Sequence, residues 1–156
     1  MANIFQDTAL FEMFRNVKKL HEGRLFVSVI SRNEVKNLIV DLNVEQMQFN
    51  FMDSNGRQLS SIAGDYSPFT VEAGGKKNAQ SVDLHDTGYF HDSFEVVKIT
   101  QKDFSINSDP RKDDGTNLLE VWGENIEGLT FENLEKLGQY LIPKYIEEIK
   151  KQYATL

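Results

Sequence analysis

From Thr130 to the C-terminus, Leu134, Leu137, Leu141, Tyr145, Ile149 and Tyr153 recur at three- and four-residue spacing. Only a helix of roughly twenty residues turns such a pattern to one side. An apolar stripe of that length must be covered by the rest of the chain, which limits the possible folds. Thr130 caps the start of this helix, and Pro143 falls inside it. A proline there lacks a donor and clashes with the carbonyl of Gln139, so a kink or break is expected. The means of covering the stripe are present, because 40% of the 156 residues are hydrophobic and eleven are Phe. A chain of this size buries about 70% of its unfolded surface as one domain.

The segments before that helix read with different clarity. Leu10, Phe11, Phe14, Val17 and Leu20 share one helical face, with Asp7 as cap, Lys18, Lys19 and His21 near the C-terminal dipole, and Gly23 as the stop. Residues 25–42 fit two patterns: the β-branched run Leu25–Ile30 suits a buried strand, while Val27, Ile30, Val35, Leu38, Ile39 and Leu42 suit a helix, favoured from about Glu34. Asn43 followed by Gln46 resembles a capping box that opens a short helix through Met47 and Phe51. Asp53-Ser54-Asn55-Gly56 is a turn, since Asn and Gly tolerate positive φ.

Arg57 to Ser81 has few apolar residues and is too long for an ordinary connection, which predicts a mobile or binding loop pinned by Tyr66 and Phe69. Phe94–Thr100 and Phe104–Ile106 alternate around Gln101-Lys102-Asp103, a hairpin. Asn107–Thr116 is polar loop, and Leu118–Trp122 has room for one or two helical turns before Gly123. The expected fold is α+β: N-terminal helices, a small antiparallel sheet with its hairpin near 94–106, and a long kinked C-terminal helix, all in one domain over 1–156.

Charge and cysteine content narrow the function. The net charge is −7, and residues 53–128 carry all of the excess. Phosphate-backbone binding needs clustered Lys and Arg, so no specific nucleic-acid binding is expected. No apolar run approaches bilayer length, and the N-terminal residues lack the pattern of a signal peptide, so no membrane partner is expected. The absence of cysteine removes disulfides, thiolate nucleophiles and Cys-type zinc sites, in keeping with a reducing cytoplasm.

The most suggestive chemical motif is Leu84-His85-Asp86-Thr87-Gly88-Tyr89-Phe90-His91-Asp92, with two His-Asp pairs. His and Asp are metal ligands and acid–base groups, so a small metal-dependent hydrolase is one reading. A complete ligand set would need more of them, and His21 is the only other histidine. A turn with two surface histidines is the simpler reading, and neither metal, cofactor nor catalysis is expected. Asp109 to Glu120 has a calcium-loop length, but Arg111 stands at the third position and Gly115 comes one residue late. Glu147-Glu148 beside Lys150-Lys151 are explained by pairing along a helix. A further reading is a host-interaction or regulatory module anchored by Tyr66, Phe69 and Trp122.

Two stretches taken together resemble a known family. Asp53-Ser54-Asn55-Gly56 is followed by Tyr66-Ser67-Pro68-Phe69-Thr70, a lysine-containing loop, and then Leu84-His85-Asp86-Thr87-Gly88-Tyr89-Phe90-His91-Asp92-Ser93-Phe94. Val121-Trp122-Gly123 and Gly128-Leu129-Thr130 then precede the last helix. This order, over roughly residues 53–153, resembles the virion-morphogenesis and tail-completion proteins of tailed phages. The resemblance implies a structural virion protein without catalysis, built as a ring of identical copies at the head–tail junction. Its partners would be portal, connector or tail proteins, and its location the host cytoplasm during assembly and then the virion. In that family the Thr-Gly turn leads into a sheet, as Thr87-Gly88 would lead into Phe94–Thr100. Gly56, Tyr66, Pro68, Phe69, Thr87, Gly88, Phe90, Phe94, Trp122 and Gly123 are the motif and interface candidates that follow.

Overall fold

In the computed structural model, which describes residues 21–154, two helices form a hairpin that packs against the long C-terminal helix. The first, α1 (Glu22–Ile30), is followed after Ser31 and Arg32 by α2 (Asn33–Asn50). The strand reading of Leu25–Ile30 therefore gives way to a helix. Helix propensity disfavours each β-branched residue by about 0.5 kcal/mol, whereas burying one contributes about 1.5–3 kcal/mol, so packing decides. Leu25, Val29 and Ile30 are buried where α1 meets the last helix. The helix expected over Leu10–Leu20 lies outside the described residues. Gly23 does not stop a helix but stands in the first turn of α1, where a Cβ would come within 2.5 Å of the Gln101 side chain. It permits the close approach of the hairpin loop.

Asn43 and Gln46 open no new helix. Both lie inside α2, fully buried, and serve as a polar seam to a segment more than eighty positions away. Asn43 donates from Nδ2 to Ile126 O (2.9 Å) and accepts from Gly128 N (2.9 Å). Gln46 accepts from Thr130 N (2.7 Å) and donates to Gly128 O (3.2 Å). Asn133 closes the seam by donating to Leu42 O (2.9 Å) and Gln46 Oε1 (3.2 Å). Beyond α2, Asp53 anchors the expected turn: its buried carboxylate accepts from Asn55 N and Arg57 N, both at 2.9 Å, and pairs with Arg57 at 2.7 Å.

Residues 57–81 are more ordered in pattern than their composition implies. They contain two short helices, α3 (Ser60–Ala63) and α4 (Pro68–Ala73), and Leu59 is fully buried. After the Thr87-Gly88 turn comes a one-turn helix, α5 (Tyr89–Asp92), and only then the strand β1 (Glu95–Val97). The turn thus enters the sheet through a helix rather than directly. β1 pairs antiparallel with β2 (Ser105–Asn107), Val96 opposite Ile106. The strands are shorter than their alternation suggests because Thr100 Oγ1 accepts from Lys102 N (3.2 Å) and Asp103 N (3.1 Å), drawing 100–103 into a turn. Two strands alone are marginal, and this pair rests against α2.

The chain then forms α6 (Leu118–Trp122), a single 3-10 turn (Glu124–Ile126) and α7 (Phe131–Ala154). Thr130 caps α7 as expected, accepting from Asn133 N at 3.3 Å. The helix continues through Pro143, kinked but unbroken. Leu137 and Leu141 are buried, but Leu134 is nearly half exposed, so the stripe turns partly outward. Glu147 and Glu148 reach across to Arg32 at 3.2 and 2.8 Å, tying α7 to the bend between α1 and α2. Burial alone would raise the Glu148 carboxyl; the Arg32 guanidinium outweighs it and holds the group below the ordinary range. No described helix is long and apolar enough to cross a membrane.

Candidate functional site

Tyr66 and Phe69, together with Trp122 more than fifty residues later, line one cleft of about 740 Å³. One wall is α4, which begins at Pro68; Ser67 caps it by accepting from Thr70 N at 3.1 Å. The opposite wall is α6, capped by Asn117, whose Oδ1 accepts from Leu119 N at 3.0 Å. Leu84, His85 and Asp86 also line the cleft.

Tyr66 is the clamp of this cleft. Its hydroxyl donates to Asp83 Oδ1 (2.9 Å) and accepts from Asp83 N (3.2 Å) and Leu84 N (3.1 Å). Those bonds hold Leu84 at φ 55°, a left-handed conformation that side chains rarely adopt. Burial, and then the adjacent Asp83 carboxylate, push the Tyr66 phenol well above its ordinary value, so it stays a donor. Lys76 completes the cluster, pairing with Asp83 at 3.0 Å and donating to the His85 carbonyl. Burial would raise Asp83, but the bonds from His85 N, Lys76 and Tyr66 hold it low. Tyr66→Phe leaves two backbone N–H groups without their acceptor, and chemical denaturation is expected to register a loss of about 2 kcal/mol.

Phe69 lines the same cleft but is not packed against the core. It is 78% exposed and pins nothing, contrary to the anchoring role its loop position implies. Trp122 packs partly against the core, and its indole Nε1 is buried without a partner among the described residues. The two lysines bordering the cleft are occupied, Lys76 by Asp83 and Lys112 by Asp86 at 3.5 Å.

The remaining candidates divide by burial. Phe90 and Phe94 stack edge to face at 4.9 Å inside the core, which removes them as contact residues. Gly56 lies at an exposed turn and Gly123 ends α6 at φ 84°. Gly88 adopts φ 91° at the N-cap of α5, where only glycine is unstrained, and Thr87 stands just before it.

The two His-Asp pairs do not converge. His85 and His91 face each other with ring centroids 5.4 Å apart, while Asp86 turns to Lys112. Among the described residues, no three His, Asp or Glu side chains are placed to hold a metal ion. The acidic loop is likewise committed to turns: Asp109 accepts from Tyr89 Oη at 2.8 Å and Asp114 from Thr116 N at 2.9 Å.

His91 is not the surface group expected from its motif. It is 5% exposed, its Nδ1 meets Gln48 Nε2 at 3.0 Å, and its Nε2 has no partner among the described residues. Burial, and then the neighbouring His85, lower its pKa from 6.5 to about 4. Above 6.5 the ring is neutral in both folded and unfolded chains. Below it the unfolded chain takes up the proton first, so stability falls as pH drops from 6.5 towards 4. Solvent screening reduces the full linkage to about 2 kcal/mol. Denaturant titrations across that window are expected to show the decline, and His91→Asn to remove most of it.

No protein-family model, curated protein or solved structure matches the chain significantly.

Proposed function

We propose that this chain is a structural subunit of a tailed-phage particle, acting without catalysis as one copy of a ring at the head–tail junction. The observation that carries this reading is the cleft. It gathers aromatic side chains from distant segments and leaves Phe69 projecting at its rim, while its lysines are already paired. Interface energy concentrates in such aromatic anchors, whereas reactive groups would need to be unpaired and convergent. The motif order from Asp53 to Thr130 supports the same reading, since Asp53 holds a turn, Gly88 and Thr130 cap helices and Tyr66 clamps the cleft. Neighbouring copies are then the first partners, and portal, connector or tail proteins the next. The protein acts in the host cytoplasm during assembly and thereafter in the virion, binding neither specific nucleic acid nor membrane.

Quantitative mass spectrometry of purified tailed particles from the natural host tests this. The chain is expected at a fixed multiple of the copies in one cyclic junction. Its absence from particles would remove the reading.

A further inference from the structure

The outer face of α2 carries a second groove, separate from the Tyr66–Trp122 cleft. It has a volume of about 430 Å³ and runs between α2 and α5. Val40 and Val44 are half-buried along it, and Phe49 at its end is 70% exposed. Asp41, Glu45 and Asp92 border this apolar strip, all exposed and without an ion pair among the described residues. The buried His91, with its unmatched Nε2, also lines the groove. A buried polar atom left unpaired is uncommon in native folds.

A complementary occupant presents apolar side chains flanked by cations. Only one stretch of this sequence places three basic residues within five positions: Arg15, Lys18 and Lys19, interleaved with Phe11, Phe14 and Val17. We propose that residues 10–20 of a neighbouring copy dock in this groove, their basic side chains against Asp41, Glu45 and Asp92. The fit in length is close: Val40 to Phe49 covers about 14 Å of helix, and eleven residues at helical rise cover about 15 Å. This rests on the ring reading. A head-to-tail ring requires two different complementary surfaces on each subunit, and an N-terminal segment reaching into the next copy's groove provides such a pair.

The chain has no cysteine, so introduced thiols report a single contact. A chain carrying both Lys18→Cys and Glu45→Cys, oxidised with diamide at high concentration, is expected to give a ladder of covalent dimers, trimers and larger species. Each single-cysteine chain stops at dimers. A double variant that closes only within itself, or forms no bond beyond the single-cysteine controls, overturns the proposal. Asp41→Lys/Glu45→Lys is expected to weaken self-association about tenfold, and mixing with Arg15→Glu/Lys18→Glu to restore it. Rings of the Asp41→Lys/Glu45→Lys variant that form as readily as wild-type rings would refute the groove contact and leave the ring reading standing. A ladder that grows without ever closing would refute the ring and leave the contact.

Discussion

Replacing Asn43 by leucine is expected to lower stability by about 4 kcal/mol, a fall of about 10 °C in melting temperature for a chain of this size. Asn43 is wholly buried and bonds both a carbonyl, Ile126 O, and a donor, Gly128 N. Leucine fills the space but leaves two buried backbone groups unpaired, each costing about 1–3 kcal/mol. Gln46→Leu removes bonds in the same seam, so the two losses combine less than additively. Asn37→Leu, at an exposed position of the same helix, serves as the control and is expected to cost under about 0.5 kcal/mol. A loss at position 43 no larger than that control would mean the seam does not hold α2 to the 126–130 segment.

The second large effect concerns assembly. Phe69→Ala is expected to weaken ring formation about 100-fold while leaving the melting temperature unchanged, because the side chain is 78% exposed and makes no core contact. Trp122→Ala is expected to weaken assembly similarly but also to destabilise the subunit, since Trp122 packs partly against the core. Sedimentation measurements on both variants, paired with thermal melts, separate these effects. Rings of unaltered stability in Phe69→Ala would remove the cleft as a subunit contact.

Periodicity and capping chemistry made the long last helix, its Thr130 cap, the Asp53–Gly56 turn and the 94–106 hairpin legible in the sequence. Those features are local: a spacing of three and four, a hydroxyl before a helix, a turn residue at positive φ. Asn43 and Gln46 were misread for the complementary reason. Their residue types match a local cap, but their partners are Ile126, Gly128 and Thr130, and no short window contains both sides. Leu25–Ile30 became helix because of α7, which lies more than a hundred positions later. Within the candidate site, the sequence singled out Tyr66, Phe69 and Trp122 by type alone. Their meeting in one cleft, the outward turn of Phe69 and the burial of His91 depend on tertiary packing. Of the Tyr66–Asp83–Lys76 cluster the sequence singled out only Tyr66, because its meeting with Asp83 and Lys76 depends on how the loop folds back.

Cryo-electron microscopy of the intact tailed particle tests the central claim most directly. A closed ring of identical copies of this chain is expected at the head–tail junction, each cleft occupied by its neighbour around Phe69. Particles with no density for the chain, or with a single copy lacking cyclic neighbours, would contradict it.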